Sequence, residues 1–286
     1  MKTTFLTLSL LVSVLFANAQ KSVIFKLKYL PGRNYLSNMQ MKMSMKMDLD
    51  GDSASVAKAK GSGTDFPIIM DMTADMEMTM KTNNKLTTAG SLPFLMNYNK
   101  ADVAATMNGK TLPIPNNQFK DQKVYGTCVD NSVLRIDSVP GKNIDEARKI
   151  MFAKTLNDIT SQLKFPDKPI AVGESFMMEV PMSMPVNGSN MQMMIKVNYK
   201  VTDIKNGIAY CDLILNTSVD MNAQPSAMKM KGSGTGKMQY SIKDQFFTNM
   251  TQDFAFSYSM NMNDVTMKGD AKMNSVYDMK ISNGVN

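Results

Sequence analysis

The chain of 286 residues carries 32 lysines and arginines against 25 aspartates and glutamates, a formal charge of +7, with 31 methionines and neither histidine nor tryptophan. Without histidine it excludes Ser-His-Asp and Cys-His catalysis and imidazole-based zinc sites, because the usual general base and metal ligand is missing. The basic residues form no run of five or six, so they read as a solvated surface and argue against nucleic acid or a membrane groove as partner.

The N-terminus reads as a secretory signal peptide over residues 1–19. Lys2 supplies the positive charge, an apolar run extends from Phe5 to Phe16, and Ala17-Asn18-Ala19 forms an A-x-A cleavage site before Gln20. The run falls short of the roughly 20 residues of a membrane span. No cysteine stands near the site for a lipid anchor, and no later segment is long and apolar enough to cross a bilayer. The expected location is therefore periplasmic or secreted.

From Asn38 the sequence NMQMKMSMKMDLD puts Met39, Met41, Met43, Met45 and Met47 on one parity and polar residues on the other. Alternation of period two predicts a half-buried strand, since successive side chains point to opposite faces. The rhythm returns at Met70, Met72, Met76, Met78 and Met80, at Met191 and Met193 running into Ile195, and at Phe254, Phe256, Tyr258 and Met260. Asp50-Gly51, Asn108-Gly109 and Asn206-Gly207 interrupt these stretches, and Asx-Gly pairs predict type I′ hairpins. Pro31-Gly32 predicts a turn ahead of the first Met-rich strand.

One helix is expected near residues 143–164. Asn143 and Glu146 have the spacing of a capping box, Phe152, Leu156, Ile159 and Leu163 form one apolar stripe, and Phe165-Pro166 ends it. On either side, Lys-x-Lys-Gly-Ser-Gly-Thr occurs at 58–64 and at 229–235, each after an Asx-Gly pair, which suggests an internal duplication. The Gly-Ser-Gly-Thr stretches lack P-loop spacing and are expected between strands. The organisation expected is a β domain over 20–142, a helix and linker over 143–166, and a second β domain over 167–286. The fold class is mainly β (α+β at most): two related antiparallel curved-sheet or half-barrel domains joined by one amphipathic helix.

The signal peptide, the PG-x-x-Y opening at Pro31–Tyr35, the segment FPDKPIAVGESF from Phe165 to Phe176 and the paired β-rich halves resemble an uncharacterised family of secreted β-rich bacterial envelope proteins, known as a domain of unknown function. The resemblance implies a β-rich envelope protein with a curved half-barrel like those of periplasmic lipid carriers. It implies no catalytic residues.

The methionines have three readings. They fill a sealed core, since methionine packs irregular gaps. They line an open apolar face for a lipid or other apolar small molecule, comprising Met39, Met41, Met43, Met45, Met47, Met70, Met72, Met76, Met78, Met80, Met191, Met193, Phe254, Phe256, Tyr258 and Met260. Or their thioethers handle Cu(I), a soft ion suited to sulfur. Cys128 and Cys211 form one disulfide or remain two partly buried thiols. The function expected is a non-enzymatic binding or structural envelope protein with no cofactor, and the alternative is a periplasmic Cu(I)-handling protein.

Overall fold

The computed structural model describes residues 21–61, 65–113, 122–130, 132–140, 165–186, 189–221, 228–262 and 265–284. The expected signal peptide and the expected helix at 143–164 lie outside the described residues. In chain order the elements are β1 (Ser22–Val23), β2 (Arg33–Gly51), α1 (Ser53–Lys60), β3 (Ile68–Thr82), β4 (Leu92–Met107), β5 (Lys110–Thr111), β6 (Lys123–Val129) and β7 (Val133–Ser138). Then follow β8 (Ile170–Ala171), β9 (Ser175–Val186), β10 (Ser189–Lys205), β11 (Ile208–Met221), β12 (Met228–Ser241), β13 (Phe246–Met262) and β14 (Val265–Asn283).

The protein is mainly β, as expected, and every pairing among the described residues is antiparallel. Twelve strands make one open sheet in the order β7-β6-β4-β3-β2-β14-β13-β12-β11-β10-β9, with β5 beside β4, while β1 and β8 form a separate two-stranded pair. The sheet runs without a break from the N-terminal to the C-terminal half. β2 and β14 pair along their whole length, from Arg33 opposite Asn283 to Gly51 opposite Val265. The edge strand β9 contains Pro181 and Pro185, placements an edge tolerates because proline has no N–H to donate to a further strand.

The predicted turns divide. Asn108-Gly109 and Asn206-Gly207 have positive φ at both positions (48° and 74°, 53° and 76°), which a type I′ hairpin requires. Asp50-Gly51 does not make a hairpin. It ends β2, and the next residue, Asp52, caps α1 by accepting the amides of Ala54 (3.0 Å) and Ser55 (2.9 Å) through Oδ1. Pro31-Gly32 turns as predicted, with Gly32 at φ 64°.

Gly232-Ser233-Gly234-Thr235 corrects another expectation, for it lies inside β12 and not between strands. A Cβ on Gly232 would stand 2.7 Å from Phe256 Cβ, and one on Gly234 would run into the Asp253 carbonyl and stand 2.9 Å from Phe254 Cα. The missing side chains make room for the two phenylalanines of β13. The matching stretch begins in α1 with Lys58–Lys60, where Lys229–Lys231 is strand; residues 62–64 lie outside the described residues.

Two apolar clusters lie on one face of the sheet. The larger, around β9–β13, includes Val197, Val201, Leu213 and Tyr240; the smaller, around β3, β4, β6 and β7, includes Tyr35, Met80, Phe94 and Val124. Each large side chain so buried contributes about 1.5–3 kcal/mol. A register shift between Glu77 and Met78 opposite β4 switches the buried parity of β4 from Ala101 and Ala105 to Leu92, Phe94 and Met96, so both halves of the strand face the core. Segment 23–30, in which Val23, Phe25, Leu27 and Tyr29 share one parity, joins the clusters: Val23 and Phe25 enter the larger, while Tyr29, with Leu27 packed beside it, belongs to the smaller. Lys26 N–H donates to Tyr240 Oη (2.9 Å), Tyr240 donates in return to the Lys26 carbonyl (2.8 Å), and Leu30 N–H donates to Tyr35 Oη (2.7 Å).

Candidate functional site

The register brings the methionines together on one face. Met43 lies opposite Met72 on β3 and Met273 on β14; Met45 lies opposite Met70, which lies opposite Met107 on β4; Met39 lies opposite Met76 and Tyr277. Directly opposed residues in an antiparallel pair have α-carbons about 4.5–5.5 Å apart, so these thioethers form continuous cross-strand rows. Further along, Met273 faces Phe254, Ala271 faces Phe256, Gly269 faces Tyr258 and Met267 faces Met260. The backbone pairing of Met191 with Met184 and Met193 with Met182 puts those two positions on the same face.

Burial divides the predicted residues into two groups. Met80, Phe254, Phe256 and Met260 are buried members of the apolar clusters. Met39, Met41, Met43, Met45, Met47, Met70, Met72, Met76, Met78 and Tyr258 are only half-buried, while Gln40, Lys42, Ser44 and Lys46 between them are exposed. Met45 and Tyr258 pack against the edge of the larger cluster and Met78 against the smaller. Met39, Met41, Met43, Met47, Met70, Met72 and Met76 join neither. They form an apolar strip between two sealed regions.

Tyr258 marks the border of that strip. Its hydroxyl donates to Met45 Sδ at 3.5 Å, and its ring lies where a Cβ on Gly269 would stand, 2.6 Å away. Burial and the nearby negative charge of Asp270 push the phenol up to about 12, so it stays protonated at neutral pH. No three of the Asp, Glu and Cys side chains gather into a metal site among the described residues. The soft donors set side by side are the thioethers of Met43, Met72 and Met273.

Of the two readings of the cysteines, the structure shows the separate thiols. Cys128 in β6 and Cys211 in β11 are free and buried. They sit in different clusters with six strands between them in the sheet. Burial pushes both thiols up to about 12, which leaves little thiolate for nucleophilic chemistry.

Sequence reasoning missed β14 as part of the face. Met267, Gly269, Ala271, Met273, Ser275, Tyr277 and Met279 share one parity. Small residues interrupt the apolar rhythm there, so only the parity of its methionines could have revealed it.

No helix among the described residues is long and apolar enough to cross a membrane. No family model matches the chain, and no curated protein matches it. Among solved structures the chain is similar to the T2SS secretin XcpQ from Pseudomonas aeruginosa, at 7% identity and a TM-score of 0.18. The match covers 97% of this chain and spans 63% of the secretin chain, and a superposition of that quality carries no argument about fold or function.

Proposed function

We propose that this is an exported, non-enzymatic envelope protein that holds a lipid or other apolar small molecule against its methionine face. One observation carries the reading: the strip of Met39, Met41, Met43, Met47, Met70, Met72 and Met76 stays half-buried between two clusters that are sealed. A face meant only as core would be closed like its neighbours. Unbranched, polarizable thioethers repack around acyl chains of varying shape, which favours an adaptable apolar ligand. In this reading residues 1–19 direct export and are removed. An amphipathic helix near residues 143–164, with its linker to 166, joins two related β halves.

A second reading, Cu(I) handling, is favoured by the cross-strand row Met43, Met72 and Met273, which sets three soft donors on neighbouring strands. Native mass spectrometry of the protein purified from the envelope separates the two. The expected result is a co-purified lipid mass that is lost when Met43→Glu puts a charge in the strip. Protein that carries no lipid and binds Cu(I) tightly overturns the carrier in favour of the second reading.

A further inference from the structure

The opposite face of the sheet holds a recess that the apolar-ligand reading does not use. It encloses about 880 Å³ and runs into a second recess of about 610 Å³, the two sharing Ser218, Lys231, Ser257 and Asp270. The first spans five neighbouring strands, β10 to β14, and β2 borders the second through Lys46 and Asp48. Neighbouring strands lie about 4.8 Å apart, so the joined recess is roughly 20–25 Å long across the strands.

Its lining is cationic. Lys46, Lys196, Lys229, Lys231, Lys268 and Lys272 surround it, against only Asp48 and Asp270. Lys268 pairs with Asp50, and Lys196 lies 3.7 Å from Glu179. Lys46, Lys229, Lys231 and Lys272 make no ion pair among the described residues. Ammonium groups crowded around one concavity repel one another, and a bound anion relieves that repulsion.

The rest of the lining narrows the chemistry. Phe256 and Tyr258 belong to these strands, but they face the methionine side, where Phe256 is buried and Tyr258 stands over Gly269. The recess therefore offers no aromatic platform for nucleic-acid bases. A flat bilayer surface does not enter a concavity. Between the lysines lie Ser218, Ser233, Ser257 and Asn216, and the register sets Lys231, Ser257, Asp270 and Lys46 in one row across four strands. A densely charged polyphosphate meets Asp270 in that row. A chain with sparse charges and many hydroxyls suits these polar groups: its anions meet the lysines, and its hydroxyls bond to the serines, Asn216 and Asp270.

We infer that this recess binds an acidic oligosaccharide, a carboxylate-bearing glycan chain laid across β10–β14 toward β2. The site lies on the far side of the sheet from the methionines and does not depend on the apolar ligand. The test is fluorescence anisotropy of the whole exported chain with labelled oligogalacturonate, set beside its methyl ester, inorganic phosphate, single-stranded DNA and anionic lipid vesicles. The expected result is oligogalacturonate binding that weakens with salt, falls on the order of tenfold in Lys231→Ser/Lys272→Ser, and is unchanged in Lys85→Ser, at an exposed lysine between β3 and β4 outside the recess. Independently of any variant, the bound oligosaccharide should protect Lys46, Lys231 and Lys272 of the unaltered protein from acetylation while leaving Lys85 reactive. Equal binding of the uncharged methyl ester overturns the inference. So does protection of lysines elsewhere, or binding of phosphate, DNA or vesicles without the glycan.

Discussion

Replacing Tyr240 by phenylalanine removes one oxygen atom and leaves the ring in place between its neighbours. The Tyr240 side chain is 1% exposed, and its hydroxyl both accepts from Lys26 N–H and donates to the Lys26 carbonyl. Phe25, with its ring centroid 4.9 Å from that of Tyr240 and 4.7 Å from that of Phe176, keeps its packing in the variant. The loss is thus confined to two hydrogen bonds, worth about 0.5–1.5 kcal/mol each, or about 1–3 kcal/mol in all if both Lys26 groups go unsatisfied. At about 2–4 °C per kcal/mol for a domain of this size, the melting temperature should fall by about 2–12 °C. Hydrogen exchange followed by mass spectrometry should show faster exchange in segment 23–30, centred on the Lys26 amide. Unchanged exchange there, together with an unchanged melting temperature, refutes the role assigned to the hydroxyl in holding this segment across the two clusters.

Gly234→Ala should lower stability by about 1–3 kcal/mol in urea unfolding despite the strand preference gained, because its Cβ meets backbone atoms of β13 that cannot rotate away; a neutral change would contradict the close approach of β12 and β13. Cys128 and Cys211 should resist Ellman's reagent at pH 8 in the native protein and react fully in urea without reductant, whereas thiols absent until reduction would mean a disulfide. Stability should fall as pH rises from about 9 to about 12. In the unfolded chain the thiols and phenols lose protons near 9 and 10, whereas burial holds those of Cys128, Cys211, Tyr98 and Tyr199 to about 12 in the folded one; below 9 the contribution is complete. A urea midpoint that stays flat over that window would contradict the burial of these groups. Asp52→Ala should loosen α1 by about 1 kcal/mol, seen as faster exchange at Ala54 and Ser55, with the sheet unaffected.

The strands were legible because alternation is a local property. Met39 to Met47 announce both the extended backbone and the shared face, and the structure puts them in β2 with the polar parity exposed. Asn108-Gly109 and Asn206-Gly207 were equally plain, since positive φ at two successive positions is a demand that few residues meet. Asp50-Gly51 has the same dipeptide but a different fate, because Asp52 starts a helix. Gly232 and Gly234 look like turn residues in isolation and become strand residues only because two phenylalanines occupy the space above them. Segment 23–30 alternates at Val23, Phe25, Leu27 and Tyr29, but its anchoring was not legible: it depends on tyrosine hydroxyls that follow it in sequence by up to 214 residues.

The sequence by itself determined which residues share a face, that the chain is built of antiparallel strands, and that histidine-based chemistry is absent. Those follow from period, turn stereochemistry and composition. Only the tertiary structure decided that β2 pairs with β14 to join both halves in one sheet, that the cysteines stand six strands apart, and that part of the methionine face stays open. It also gathered Lys46, Lys196, Lys231 and Lys272, which read as scattered surface charges along the chain, around one recess. The physical reason is that strand pairing is a long-range choice: alternation orients each side chain up or down, but the register between distant strands sets its neighbours.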